Sequence, residues 1–407
     1  MKTSEQTVDV FVAGGGPGGL SAGEAAARAG CRVLIAEQNA EIGSPTRTSG
    51  GTFVSEMKAL GVPAELYHVF NRCRFVSPNN QAIIDYDRPN LCGIDVRRVF
   101  QHLAERAADA GASIRTATQV IEPLTTADAV TGARMKSRSK EYIVRSRVVV
   151  DATGYRAALV KKANVHDGFE RFGVGAEYDL YAPHYDEMEA VLIVGSQVAP
   201  CGYAWFLPYG RHRVRAGVGV IHSDSTADPN EYLDTLMERA QDFGVNVTGA
   251  QPLEYHYGLI PSDGVSEAYV ADGIVAVGDA AGQASCLVGE GIRWAMKAGL
   301  MAGTLAAECV QADDVSKQAL SRYHRQWTAA FGRSLRIAHE INKRIARWTD
   351  EQWDRRTDLL KAFTPDQFDQ AIQSNFTGAW TAKLVWSHPE LVRQGFRHVA
   401  TRLGIIS

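Results

Sequence analysis

The sequence predicts an α/β fold: a Rossmann-like βαβ unit, an inserted mostly antiparallel β-sheet domain, and a helical C-terminal tail. Three observations predict it. Val8-Asp9-Val10-Phe11-Val12-Ala13 runs straight into Gly14-Gly15-Gly16-Pro17-Gly18-Gly19 and an alanine-rich stretch from Leu20 to Ala29. Residues 165–265 are dense in strand-type runs, among them Gly173-Val174-Gly175-Ala176, Val191-Leu192-Ile193-Val194 and Val214 to Ile221. A second apolar strand ending in a glycine turn, Gly273-Ile274-Val275-Ala276-Val277-Gly278, returns near residue 280, and beyond about residue 315 the apolar spacing becomes helical.

The glycine run is the most informative element. Gly14, Gly16 and Gly19 satisfy G-x-G-x-x-G, in which the first gives a tight turn, the second lets a pyrophosphate approach the backbone, and the third lets helix and strand pack closely. The N-terminus of the helix read from Leu20 to Ala29 would present unpaired N–H groups and a positive dipole end to the phosphates. Gly30 stops it, and Arg32-Val33-Leu34-Ile35-Ala36 forms a second strand ending at Glu37, where a carboxylate can accept from ribose hydroxyls. An acid at that position disfavours a 2′-phosphate and with it NADP, while FAD and NAD both stay open on this motif alone.

Between the two glycine turns, residues 90–120 read as a helix from Val96 to Ala110 ended by Gly111, then a short strand. Residues 119–150 alternate as antiparallel strands do and end in Val148-Val149-Val150. The tail carries most of the tryptophans, Trp327, Trp348, Trp353, Trp380 and Trp386, and either packs on the body or walls off an apolar cavity. The expected partition is a discontinuous nucleotide-binding domain from residues 1–90, 91–160 and 265–315. A β-sheet catalytic or substrate domain follows over 161–264, and a helical C-terminal domain over 316–407.

Bulk properties narrow the function classes. A formal net charge of -3 over 407 residues argues against a nucleic-acid binder, and 45% hydrophobic with 22% charged residues is an ordinary globular balance. Cys31, Cys73, Cys92, Cys201, Cys286 and Cys309 form no C-x-x-C pair and no zinc-spaced cluster, so reduced thiols in a cytoplasmic protein without a metal are expected. The start Met1-Lys2-Thr3-Ser4-Glu5-Gln6 lacks the apolar core of a signal peptide, and no run is long enough to span a bilayer.

The segment near residue 280 separates the two dinucleotides. Gly278-Asp279-Ala280, followed by Gly289-Glu290-Gly291-Ile292 and a small-residue helix, resembles the G-D-A motif of FAD-dependent monooxygenases and reductases. There the aspartate meets the ribityl chain and the helix points its N-terminus at the pyrimidine end of the flavin. Asp151-Ala152-Thr153-Gly154 resembles the A-x-G turn of the same superfamily. Arg97, in Arg97-x-x-Phe100-x-x-Leu103, resembles its arginine near the FAD phosphate or adenine. The cofactor implied is FAD.

Four stretches together resemble the geranylgeranyl reductase family, with archaeal digeranylgeranylglycerophospholipid reductases most similar. They are Glu41-Ile42-Gly43-Ser44-Pro45-Thr46-Arg47 with Gly50-Gly51; Tyr203-Ala204-Trp205-Phe206-Leu207-Pro208, similar to Y-x-W-x-F-P; the G-D-A segment; and Trp386-Ser387-His388-Pro389-Glu390-Leu391. The resemblance implies a flavoenzyme that hydrogenates isolated double bonds of isoprenoid chains in lipid biosynthesis. It places Gly14, Gly16, Pro17, Gly19, Glu37, Gln38, Arg47, Thr48, Arg97, Val120, Asp279, Gly289, Gly291 and Ile292 with the cofactor. Tyr203, Trp205, Arg47 and Thr48 fall at the catalytic end. Tyr203 and Trp205 are two apart on a strand, so both rings face one side; either alone also suits a buried core strand.

Two departures bear on mechanism. Archaeal members place a cysteine after the arginine of the S-P-x-R loop, where this chain has Thr48, and a proline in the later loop where it has Cys286. The alternatives to a prenyl reductase are an FAD monooxygenase of an aromatic or natural-product substrate, a flavin-dependent isoprenoid cyclase without net redox, and a flavin-bearing binding or sensor module. A halogenase fits poorly, since its W-x-W-x-I-P motif is missing. No second nucleotide fingerprint is present, so the reductant, NAD(P)H or a ferredoxin-like protein, would bind transiently. The expected partner is an apolar small molecule, met by a monomer or small homo-oligomer. Peripheral membrane contact would run through Lys343-Arg344-Ile345-Ala346-Arg347-Trp348, which reads equally as a packed helix.

Overall fold

The computed structural model describes residues 4–127, 129–378 and 380; the Trp386–Leu391 resemblance and the rest of the tail lie outside the described residues. A six-stranded sheet runs in the order Val270–Ala271, Ile274–Ala276, Val148–Asp151, Val10–Ala13, Val33–Ala36, Ser113–Arg115. All its pairs are parallel except the first. Four-residue apolar runs such as Val10–Ala13 are buried at every position because both sheet faces are covered. Helices Pro17–Arg28 and Ile292–Gln311 pack side by side at backbone distance. A Cβ on Gly299 would sit 2.2 Å from the Gly18 carbonyl oxygen, and one on Gly303 2.2 Å from that of Ala22.

The second large sheet has seven strands in the order Gln251–Pro261, Phe172–Tyr181, Arg213–His222, Ala199–Gly210, Glu189–Gly195, Arg72–Ser77, Asn80–Asp85. Two of them, Arg72–Ser77 and Asn80–Asp85, come from the segment that the sequence alone grouped with the nucleotide-binding unit. The Arg72–Ser77 strand adds in parallel beside Glu189–Gly195, a long-range pairing that periodicity cannot reveal. A four-stranded sheet (Ser4–Thr7, Lys140–Arg145, Ala129–Ser137, Thr118–Thr126) and a three-stranded one (Gly51–Phe53, Leu91–Ile94, Tyr67–Phe70) complete the body.

The tail folds as Lys317–Trp327, a π-turn at Thr328–Gly332, Arg333–Ile345, Asp350–Leu360 and Pro365–Ile372. The helices Asp350–Leu360 and Pro365–Ile372 start at capping boxes, Thr349 with Gln352 and Thr364 with Gln367, which satisfy the first free N–H groups locally. They are clamped to the inserted sheet. Asp354 accepts from Ser77 Oγ at 2.7 Å and Asn79 Nδ2 at 2.9 Å, and Asp369 accepts from the Tyr86 hydroxyl at 2.7 Å. These contacts fix the tail over the sheet, and a large cavity lies where it meets both sheets.

Candidate functional site

The C-terminal ends of Val10–Ala13, Val33–Ala36, Val148–Asp151 and Ile274–Ala276 converge, as ligand sites do in open α/β sheets. They open on one cavity of about 1030 Å³, at the upper end of small-molecule clefts. Gly14, Gly16, Pro17, Glu37, Gln38, Arg47, Thr48, Val120, Tyr203, Trp205, Asp279, Gly289, Gly291 and Ile292 all line it. Gly19 does not; an added Cβ there would meet the Gly14 oxygen at 2.0 Å, so its place is in the helix–strand contact. Arg97 is also not among the lining residues. Its guanidinium donates to Ser44 Oγ at 3.3 Å and lies 3.6 Å from Glu254, steadying the loop that carries Arg47 and Thr48.

Several features fit a dinucleotide. Gly14 holds φ +116, where an added Cβ would strike the Ala152 oxygen at 2.2 Å; Gly16 differs, because a Cβ there meets nothing within 4 Å. The space above Gly16 is therefore not filled by protein packing. Helices Pro17–Arg28 and Ile292–Gln311 both begin without a side-chain cap, and both beginnings line the cavity. By contrast Asp95, Asp228, Ser316, Thr349 and Thr364 cap other helices. Two uncapped N-termini on one cavity offer N–H groups and positive dipole ends to an anionic ligand.

Glu37 accepts from the Gly15 and Asn39 amides, each at 2.8 Å, which fixes its carboxylate at the strand end with lone pairs to spare. Asp279 is the opposite case. Among the described residues no donor reaches its carboxylate, and burial pushes its pKa up to about 6. A ligand hydroxyl would supply what the fold withholds, and the residues present thus fit FAD.

The loop before Gly291 is braced from two sides. The Tyr203 hydroxyl donates to the Val288 carbonyl at 2.6 Å. Below, Arg293 donates to both oxygens of buried Glu290, at 2.7 and 2.6 Å, and Thr52 Oγ1 adds a third bond at 3.0 Å. Cys286 is buried in this loop and its thiol is pushed up to about 11 by burial, which keeps it protonated and makes it a packing residue.

Tyr203 and Trp205 do face one side, with ring centroids 5.4 Å apart. The Trp205 indole lies on a bed without side chains: Cβ atoms on Gly217, Gly219 and Gly175 would meet it at 2.5, 3.3 and 3.8 Å. Its Nε1 donates to Glu177 at 2.9 Å, and Glu177 in turn meets His256 at 3.0 Å. The far wall is mostly apolar and comes from the tail and the 72–85 hairpin, including Phe75, Ile341, Trp353, Leu360, Phe376 and Trp380, with Glu340, Asn342, Arg344 and Arg356 among its polar members. Trp348, expected on a membrane-facing or packed helix, stacks edge-on with Trp353 at 4.8 Å and also lines the cavity.

Residues 9–177 match the family described as FAD dependent oxidoreductase, and residues 173–258 match that of the geranylgeranyl reductase catalytic domain. A digeranylgeranylglycerophospholipid reductase of Methanopyrus kandleri is 30% identical over 361 residues, 86% of this chain and 90% of the relative. The chain belongs to the geranylgeranyl reductase family. It is an FAD-dependent oxidoreductase. A reductase of the same name from Methanosarcina acetivorans is 29% identical over 96% of this chain and 98% of its own. Among solved structures, a geranylgeranyl bacteriochlorophyll reductase-like protein from Thermoplasma acidophilum aligns with TM-score 0.87 at 22% identity, covering 96% of this chain and 99% of the other. A flavin-dependent brominase aligns at TM-score 0.71 and 18% identity over 91% and 93%, which shows that the fold is shared beyond the family.

Sequence reasoning passed over Glu177 and His256, which line the cavity of this family member. They sit 79 positions apart and meet only because Phe172–Tyr181 pairs with Gln251–Pro261 in a register that sets Glu177 opposite His256. No local pattern announces that pair. The apolar wall was legible only as helical, tryptophan-rich tail. Among the described residues no helix is long and apolar enough to cross a membrane, and no cluster of His, Cys, Asp or Glu could hold a metal.

Proposed function

We infer that this enzyme hydrogenates isolated C=C bonds of a geranylgeranyl-type prenyl chain carried by a lipid or related isoprenoid. One observation carries the reading: the glycine turn, Asp279 and Gly291 open into the same cavity as the apolar side chains of the tail helices. A dinucleotide alone needs no such wall, whereas a prenyl tail does. The relatives named as digeranylgeranylglycerophospholipid reductases support the same substrate class.

When bound and reduced, FAD supplies an electron pair and one hydrogen through N5. The rest falls to this chain. Gly14, Gly16 and Pro17 hold the pyrophosphate, Glu37 with Gln38 and Val120 the adenosine end, and Asp279 the ribityl chain. Gly289, Gly291 and Ile292 would bring a positive helix end to the flavin, favouring negative charge there. Tyr203 and Trp205 form the wall for the alkene, and Arg47 and Thr48 face the cavity from the loop packed on Gly258, whose Cβ would meet the Arg47 carbonyl oxygen at 2.4 Å. The second hydrogen arrives as a proton, from a nearby acid or from water in the cavity. NAD(P)H or a ferredoxin-like protein restores the reduced state, and a lipid substrate enters from a membrane surface near Arg333–Ile345 and Trp348.

The test is anaerobic incubation of dithionite-reduced enzyme with a geranylgeranyl glycerophospholipid in detergent, read by mass spectrometry. Two added hydrogens per double bond support the reading. A gain of oxygen under air would instead mark a hydroxylase, and rearranged substrate of unchanged mass a cyclase; either result overturns it.

A further inference from the structure

Saturating one double bond breaks its π bond and forms two C–H bonds. One hydrogen arrives with the electron pair and the other as a proton. The source of that proton has to be sought among the titratable side chains of the cavity wall.

Glu177 lines the cavity and is buried, as is His256, which is 4% exposed. Glu177 Oε2 accepts from Trp205 Nε1 at 2.9 Å, and its Oε1 lies 3.0 Å from His256 Nδ1. The other ring nitrogen, Nε2, lies 3.2 Å from Glu254 Oε2, and the Glu254 side chain is 40% exposed. An unbroken series of hydrogen bonds therefore runs from solvent to the cavity wall. A carboxylate only accepts, so two carboxylates around one imidazole are both satisfied only when both ring nitrogens carry protons. Burial opposes that charge, but the hydrogen bond and charge of Glu177 and the hydrogen bond of Glu254 outweigh it together with the repulsion of Arg215, and the His256 pKa lies above the ordinary imidazole value. The other charged groups around the series are Arg97, 3.6 Å from Glu254, and Arg213, which pairs with Asp179 at 2.9 Å and also acts on Glu254.

We propose that Glu254, His256 and Glu177 form a proton relay in which His256, held doubly protonated by the two carboxylates, gives one proton through Glu177 to the cavity for each double bond reduced. His256 passes its Nδ1 proton to Glu177 and is left neutral, its remaining Nε2 proton held by Glu254. Glu177, now a carboxylic acid, gives the proton to the second alkene carbon as the electron pair and first hydrogen reach the other. Once product has left, Glu177 takes a proton from solvent in the emptied cavity and returns it to Nδ1, so one proton enters for each one given and His256 ends each turnover doubly protonated as it began. Trp205 fixes the Glu177 carboxyl from the side opposite His256, a positioning role. The relay rests on the reductase reading above.

The experiment uses the FAD-loaded full chain. Single-turnover reoxidation by a geranylgeranyl glycerophospholipid is followed at the flavin absorbance against pH, with product mass, and the His256 ring is followed by 15N NMR. Glu177→Gln should slow reoxidation by ~10²-fold or more while FAD content and dithionite reduction stay unchanged. Glu254→Gln, at the exposed end, should fold as wild type and move the alkaline limb of the profile to lower pH. Both variants should lower the His256 titration midpoint. Rates within roughly threefold of wild type in E177Q, or an unmoved limb in E254Q, overturn the relay. If E177Q does not fold, E254Q decides by itself. If wild type adds no hydrogen to the lipid, the reductase reading fails on its own. The relay then stands on NMR: a His256 ring neutral at pH 7, or a midpoint unmoved by either variant, overturns it.

Discussion

The Tyr203 hydroxyl and the Val288 carbonyl, 2.6 Å apart, join the inserted sheet to the loop that delivers Gly289 and Gly291 to the cavity. Tyr203, which lines the cavity, thus also braces the loop of Gly289 and Gly291. Tyr203→Phe removes only this bond, worth about 1 kcal/mol net. FAD should bind roughly fivefold more weakly, by titration of flavin fluorescence, with the protein still folded. Unchanged affinity would mean that the ring alone matters.

Gly14 and Gly16 should separate folding from binding. A Cβ at Gly16 meets no protein atom within 4 Å, whereas one at Gly14 meets the Ala152 oxygen at 2.2 Å with φ at +116. Gly16→Ala should leave the melting temperature of the flavin-free protein unchanged while weakening FAD by ~10²-fold, the cost of a methyl against the pyrophosphate. Gly14→Ala should destabilise the protein with or without flavin, by about 1–3 kcal/mol or more. Equal effects of the two in the flavin-free state would refute the distinction.

Asp279 should show linkage with a definite sign. Its pKa is raised by burial from the ordinary 3.8 to about 6. The flavin-free fold therefore binds more protons than the unfolded chain between those values, and this group's contribution to stability rises as pH falls through about 6. At neutral pH the buried carboxylate is a cost, so Asp279→Asn should stabilise the flavin-free protein by ~1–3 kcal/mol. It should also weaken FAD, because the acceptor for a ribityl hydroxyl is poorer. In wild type, FAD should bind more tightly as pH rises through about 6, where the charged acceptor forms. Thermal shift with and without flavin reads both effects, and an Asn variant less stable than wild type without flavin would contradict the account.

Gly217 should be intolerant for a reason unrelated to backbone freedom. A Cβ there would lie 2.5 Å from the Trp205 ring, so Gly217→Ala must tilt the indole and strain its bond to Glu177. Overpacking of this kind costs about 1–3 kcal/mol. Lipid turnover should fall while the flavin spectrum and FAD content remain those of wild type; normal turnover would show that the orientation of the ring is immaterial.

Much of this enzyme is legible along the chain. The strand, glycine turn, helix and acid from Val8 to Glu37 are contiguous, and their chemistry is local: backbone geometry, a helix end, one carboxylate. The Gly278-Asp279-Ala280 turn is local too, and both reach the cavity as read. The parallel strand Arg72–Ser77 and the Glu177–His256 pair were not legible, because each depends on which distant strand becomes the neighbour. Arg97 shows the same limit: its helix is where the spacing put it, yet its guanidinium is taken up by Ser44, Glu41 and Glu254.

The sequence by itself determined the nucleotide cradle, the membership of the family and the helical character of the tail, because turns, caps and periodicity are set by residues a few positions apart. Tertiary structure alone decided that the tail closes over the sheet through Asp354 and Asp369, that the wall it makes is mostly apolar, and that a charged pair from two strands faces the same cavity. Those outcomes depend on long-range register and on which surfaces are left to be buried, and no short window of residues carries that information.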